Sequence, residues 1–145
     1  MAIDDNTTYG LKGSQVKDLA AKLMTSEDVS DQITLNTIFD TAIGASPVMR
    51  KIGKLVWLSF PYIRIKVATQ ANSWFNVATI PQSLAPVSTI EFIGSEMRES
   101  DGAPVGIFRM AFTSATTIQA KAQAAVSLSG SYSSAMSFNV FWLIS

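Results

Sequence analysis

Tyr62-Ile63-Arg64-Ile65-Lys66-Val67 alternates without interruption, with Ile63, Ile65 and Val67 on one side and Tyr62, Arg64 and Lys66 on the other. Successive side chains of an extended strand point to opposite faces, so this period of two reads as a strand half-buried against a core. Further strands are expected over 33–39, 48–60, 74–80, 88–93, 104–112, 115–121, 123–129 and 136–144. The breaks carry turn residues: Ala45-Ser46-Pro47, Pro81, Pro86, Asp101-Gly102 and Ser129-Gly130-Ser131. Eight or nine short strands at this spacing indicate a mostly-β chain, an antiparallel sandwich or jelly-roll-like domain. Pro61, between two strong runs, is expected at a corner or edge, because it has no N–H to give a central ladder.

Upstream the pattern differs. Ser14 precedes Val16, Leu19, Ala20 and Leu23, which is the spacing of one helix face, with Ser14 placed as N-cap. A short helix is expected over 14–24, followed by a solvated acidic loop, Ser26-Glu27-Asp28-Val29-Ser30-Asp31. The chain therefore divides into an N-terminal segment, 1–32, and a β domain, 33–145. Composition agrees: residues 1–54 hold 13 of the 22 charges and two aromatics, whereas 55–145 hold 9 charges and 12 aromatics.

The 145 residues fit one domain of ordinary size, and at 48% hydrophobic the chain is too apolar for general disorder. Eleven cationic and eleven anionic side chains cancel, so charge gives no reason to seek nucleic acid or an anionic bilayer. Cysteine and histidine are both absent, which removes thiol chemistry, disulfides, imidazole bases and the usual ligands of structural zinc. Met1–Asn6 carries acids where a secretory signal carries cations, and no apolar run reaches the roughly 18 residues of a membrane span. A soluble chain made without a Sec signal is expected.

Charged residues make up 15% of the chain, against roughly 25% in an average soluble protein. Residues 67–90 contain none, and neither do 122–145. Two such stretches are hard to cover in a small monomer, and interfaces between copies of the chain are the expected reason.

The residues that could carry chemistry have ordinary explanations. Ser14 and Lys17 match a Ser-x-x-Lys nucleophile pair, but the partner motifs are missing and Ser14 reads as a helix cap. Glu91, Glu96, Glu99 and Asp101 could supply a glycosidase carboxylate pair, yet 94–102 reads as an exposed loop. Arg50, Lys51 and Lys54 make a small basic group at a turn. Asp4-Asp5 and Glu27, Asp28 and Asp31 could offer oxygen to calcium, without the spacing of a known loop. Trp57, Trp74 and Trp142 could stack on a sugar, although each lies in an apolar strand where core is the default. Asn6-Thr7-Thr8 is a formal glycosylation sequon. No catalytic, cofactor or metal site emerges.

One ordered set of features carries a resemblance. Arg50-Lys-Ile-Gly-Lys-Leu-Val-Trp-Leu58 leads into the alternating strand, and Trp74-Phe-Asn-Val-Ala-Thr-Ile-Pro81 follows, with Pro86 five residues on. After these come Asp101-Gly102, the strand 105–112 and a last strand over 137–144. Over about 47–145 this resembles the C-terminal β-sandwich of fibre, baseplate and minor structural proteins of tailed bacteriophages. Tyr9-Gly-Leu-Lys-Gly-Ser-Gln-Val-Lys-Asp-Leu19 resembles a short N-terminal attachment or trimerisation piece of small virion proteins. The resemblance implies a homotrimer with no enzymatic activity and no cofactor, located in the virion after synthesis in the bacterial cytoplasm. It implies a head or tail fibre or spike, joined to other virion proteins through the N-terminal segment and meeting a host-surface glycan. The alternatives are a decoration or connector protein without a receptor, a small carbohydrate-binding module and a capsule glycosidase.

Overall fold

The computed structural model describes residues 25–44, 46–66, 72–98, 101–123 and 134–145, together with Ser14, Lys17, Asp18 and Ala21. The helix expected over 14–24 falls, but for those four residues, outside the described residues, and so does the strand expected over 123–129 except Gln123. The fold is mostly β. Among the described residues ten strands run in chain order: β1 (Ser26–Asp28), β2 (Thr34–Leu35), β3 (Phe39–Gly44), β4 (Val48–Ile52), β5 (Leu55–Ile65), β6 (Trp74–Thr79), β7 (Glu91–Arg98), β8 (Pro104–Ser114), β9 (Thr117–Ala122) and β10 (Ser134–Leu143). Short 3-10 turns occupy Ser30–Gln32 and Gln82–Leu84.

All pairings are antiparallel, in the order β1-β4-β5-β10-β7-β8-β9-β6-β2, with β3 also on β5. The sheet curls back on itself. β2 pairs with β6 through Thr34↔Thr79 and Leu35↔Ala78, and a few residues later β3 pairs with β5 through Phe39↔Ile65 and Asp40↔Arg64. Between them the Asn36 amide donates to the Val77 carbonyl (2.9 Å), and the Lys66 amide donates to that of Ile38 (2.8 Å). Residues 34–40 thus join the two sides of the curl around one core.

The core follows from parity. Phe108, Met110 and Phe112 of β8, Ile118 and Ala120 of β9, and Phe138, Val140 and Trp142 of β10 all point inward and are buried. An aromatic series crosses the interior: Phe39 meets Phe60 edge-on at 5.3 Å, Phe60 stacks on Phe138 at 4.7 Å, and Phe138 meets Phe92 at 5.3 Å. Phe92 then meets Phe112 at 6.4 Å, and Phe112 meets Trp142 at 5.0 Å. Such pairs contribute about 0.5–1.5 kcal/mol each beyond their buried area.

β5 departs from the expected pattern at Pro61. Its inward residues are Val56, Leu58 and Phe60 before the proline, and Ile63 and Ile65 after it, so the parity changes. The register with β10 shifts at the same place, from Phe138↔Phe60 to Met136↔Ile63, which puts one extra residue into β5. Pro61 therefore lies at a bulge inside one long strand rather than at a corner, and a bulge is a place that tolerates a missing donor. On the other side of β5, β4 pairs as far as Ser59 and β3 begins at Ile63, so Pro61 faces a gap in that ladder.

Other expectations change for physical reasons. The single strand expected over 48–60 is a hairpin, because Gly53 (φ 57°) and Lys54 form a two-residue turn closed by Ile52↔Leu55. The solvated loop expected over 94–102 is mostly β7. Gly94 marks no turn: it is buried opposite Phe108, and a Cβ there would lie 3.3 Å from Met110 Sδ. A glycine in a strand interior here marks close packing. The real turn is Asp101-Gly102, with Gly102 at φ 68° and the Asp101 carboxylate accepting from the Ala103 amide (3.0 Å). The acidic stretch expected as a solvated loop is exposed at Ser26–Asp28 but is no loop: it forms β1 against β4, buries Val29 and donates the Val29 amide to the Met49 carbonyl (3.0 Å).

Candidate functional site

The structure does not assemble the four acids into a catalytic pair. Glu91 and Glu96 are five residues apart along β7, roughly 17 Å in an extended strand, and on opposite faces. A glycosidase needs its carboxyl groups about 5–9.5 Å apart. Each described acid has its own partner. Both carboxylate oxygens of Glu91 accept from the one Arg109 Nη2 (2.9 and 2.8 Å), Glu96 accepts from the Ser134 hydroxyl (2.7 Å), and Asp101 pairs with Arg98 (3.0 Å). Glu99 lies outside the described residues.

The basic group is partly neutralised across the β1–β4 ladder. Arg50 pairs with Asp28 (3.2 Å) and Lys51 with Glu27 (3.7 Å), each pair directly opposite in register. Lys54 sits in the hairpin turn without an ion pair among the described residues. The Ser30 hydroxyl donates to Asp28 at 2.6 Å and its amide at 3.1 Å, and with Arg50 they hold the Asp28 carboxyl below its ordinary value. That carboxylate is committed to structure. Among the described residues, no three acids gather as a metal site, and Asp4, Asp5 and Asn6 lie outside them. Ser14 and Lys17 are both exposed.

The three tryptophans separate. Trp142 is core: its indole N–H donates to the Leu84 carbonyl at 2.7 Å and its ring meets Phe112. This bond, with the Val87 amide donating to the Leu143 carbonyl (3.1 Å), ties segment 81–87 to β10. Trp74, by contrast, opens β6 on the outer surface. The register runs Ile93↔Arg109, Arg109↔Lys121 and Lys121↔Trp74 across four strands. Arg109 Cζ and Lys121 Nζ each lie 6.0 Å from the Trp74 ring centroid, within cation–π reach. Beside them the Gln119 amide donates to that of Asn76 (2.6 Å).

Trp57 faces outward on β5, opposite Arg50 on β4 and Phe141 on β10. The next row along pairs Ile52 with Leu55 and Leu55 with Leu143. Phe141 is 66% exposed, Leu143 58%, and Val87 stands beside them at 62%. These six form one apolar area, here called face 1. A second area, face 2, lies on β7 and β8, where Ile93 is 67% exposed and Val105 and Ile107 are also open. A depression of about 360 Å³ there is lined by Glu91, Phe92, Ile93, Ile107, Arg109 and Gln123. Polar side chains separate the faces: Ser59 and Asn139 are paired on β5 and β10, and Ser137 and Ser95 on β10 and β7.

The uncharged stretches 67–90 and 122–145 supply Val87, Phe141 and Leu143 of face 1, whereas Ile52, Leu55, Trp57 and the exposed hydrophobics of face 2 lie outside them. The signal was parity: with Phe138, Val140 and Trp142 inward, Phe141 and Leu143 have to face out. No protein-family model matches the chain, and none of the curated proteins matches it in sequence.

Proposed function

We propose that the chain is a non-catalytic structural protein of a tailed-bacteriophage particle: a homotrimeric head or tail fibre or spike whose curled sheet serves as a sandwich or jelly-roll-like display domain. The N-terminal segment ahead of β1 attaches it to other virion proteins, and the β domain, which takes in β1 and Val29, projects toward the host surface, with a cell-surface glycan as its ligand class. The observation that carries this reading is face 1. Six outward side chains, Ile52, Leu55, Trp57, Val87, Phe141 and Leu143, leave an apolar area on the order of 600 Å² open, at the upper end for the largest patch of a monomer. A display protein repeated on a particle covers such a surface with its own copies, and weak contacts multiplied over many copies give firm adhesion without a deep pocket.

Light scattering after size exclusion tests it. A mass three times 15.6 kDa, about 47 kDa, is expected. A monomer across the accessible concentration range overturns the reading. A trimer that binds neither cells nor glycans turns it toward a decoration or connector protein. Trp74 favours a second reading, a small carbohydrate-binding module, because its ring is exposed among hydrogen-bonding side chains; a sugar that protects its fluorescence in a monomer would select that one.

A further inference from the structure

We propose that face 1 and face 2 are the two halves of one head-to-tail interface between copies of this chain, Trp57, Phe141 and Leu143 of one copy seating on Ile93 and Ile107 of the next. The inference rests on the self-assembling reading above and adds which surfaces meet. Three observations carry it. The first is shape: face 1 projects Phe141, and face 2 contains a depression walled by Phe92, Ile93, Ile107 and the Arg109 stem, with room for an aromatic ring.

The second is charge. Beside face 1, Arg50 and Lys51 are paired with Asp28 and Glu27 of β1, and Lys54 has no ion pair among the described residues. Beside face 2, Glu91 is paired with Arg109 and Asp101 with Arg98. Each face is thus bordered by ion pairs closed within its own copy, so the apolar side chains of face 1 can dock on those of face 2 without burying an unpaired charge. The third is area. Face 1 exposes on the order of 600 Å², close to the ~800 Å² that each partner of a standard interface buries, and a two-fold pair of face 1 leaves Ile93, Val105 and Ile107 in water. Two different patches on one chain make a heterologous contact, which closes into a ring when the rotation allows.

Two single variants test the pairing: Phe141→Asp blocks face 1, and Ile93→Asp blocks face 2. Both positions point to solvent, so the β circular dichroism spectrum should be kept; a variant that loses it is replaced by Leu143→Asp or Ile107→Asp on the same face. Each variant alone is expected at 15.6 kDa. Their equimolar mixture is expected at twice that mass, about 31 kDa, because the intact face 1 of the Ile93→Asp copy docks on the intact face 2 of the Phe141→Asp copy and growth stops there. Ile93→Asp assembling like the wild type overturns the pairing and leaves self-assembly standing, and so does a mixture that stays monomeric. A monomeric wild type overturns both.

Discussion

Replacing Trp142 with Phe removes the indole N–H that donates to the Leu84 carbonyl at 2.7 Å, in a site where both residues are buried. A buried carbonyl left without its donor costs about 1–3 kcal/mol. The smaller ring also gives up roughly 40 Å² of buried apolar surface, about 1 kcal/mol at 25 cal/mol per Å². The expected loss is about 2–4 kcal/mol. Urea unfolding followed by far-UV circular dichroism, at one fixed protein concentration, measures it. With a slope of about 2 kcal/mol per molar, the midpoint should fall by about 1–2 M. Asn139→Ser on the same strand, pointing outward, should stay within about 0.5 kcal/mol of the wild type. The bond also tethers segment 81–87, so amide exchange at Val87 should accelerate more than at Val140. A midpoint shift under about 0.3 M would refute the view that this hydrogen bond holds the segment on β10.

Phe60→Ala removes the ring stacked on Phe138 and edge-on to Phe39, fully buried, and should cost about 3–5 kcal/mol in the same denaturation series. Gly53→Ala puts a Cβ on a residue at φ 57° and should cost roughly 1–2 kcal/mol, read as a lower melting temperature with the β spectrum unchanged. Asp28→Asn should lower stability at neutral pH. The Asp28 carboxyl is held below its ordinary 3.8, first by the Ser30 hydroxyl, so its contribution is present above about pH 3.8 and disappears as the pH falls through the folded value. Melting curves of the two proteins should therefore converge in acid, and a gap that widens there would contradict the assignment.

Sequence periodicity locates much of the sheet, because β8, β9 and the later part of β5 each carry their own alternation. Three features depended on partners distant in the chain. The bulge at Pro61 is set by where β10 must pair, and neither flanking run reveals that Ile63 resumes the face that Phe60 leaves. Gly94 reads as part of an exposed loop until Met110 is seen packing against it, and the closure of the curl by 34–40 joins strands that no local pattern connects. The outward rings were harder still: Trp57 and Trp142 sit in equally apolar runs, and only register separates the exposed one from the buried one. For the acids the sequence showed proximity along the chain, while the extended geometry of β7 spreads Glu91 and Glu96 apart.

β1 is three residues long, acidic, and tied to β4 by Arg50–Asp28 and Lys51–Glu27. A long unpaired ladder invites another strand to join it, and contact of that sort is insensitive to side-chain identity. With so little backbone on offer in β1, this rim is a poor template for a further strand. Any contact made at this rim would depend on side chains, and single substitutions there could change it while the strand framework stays as it is.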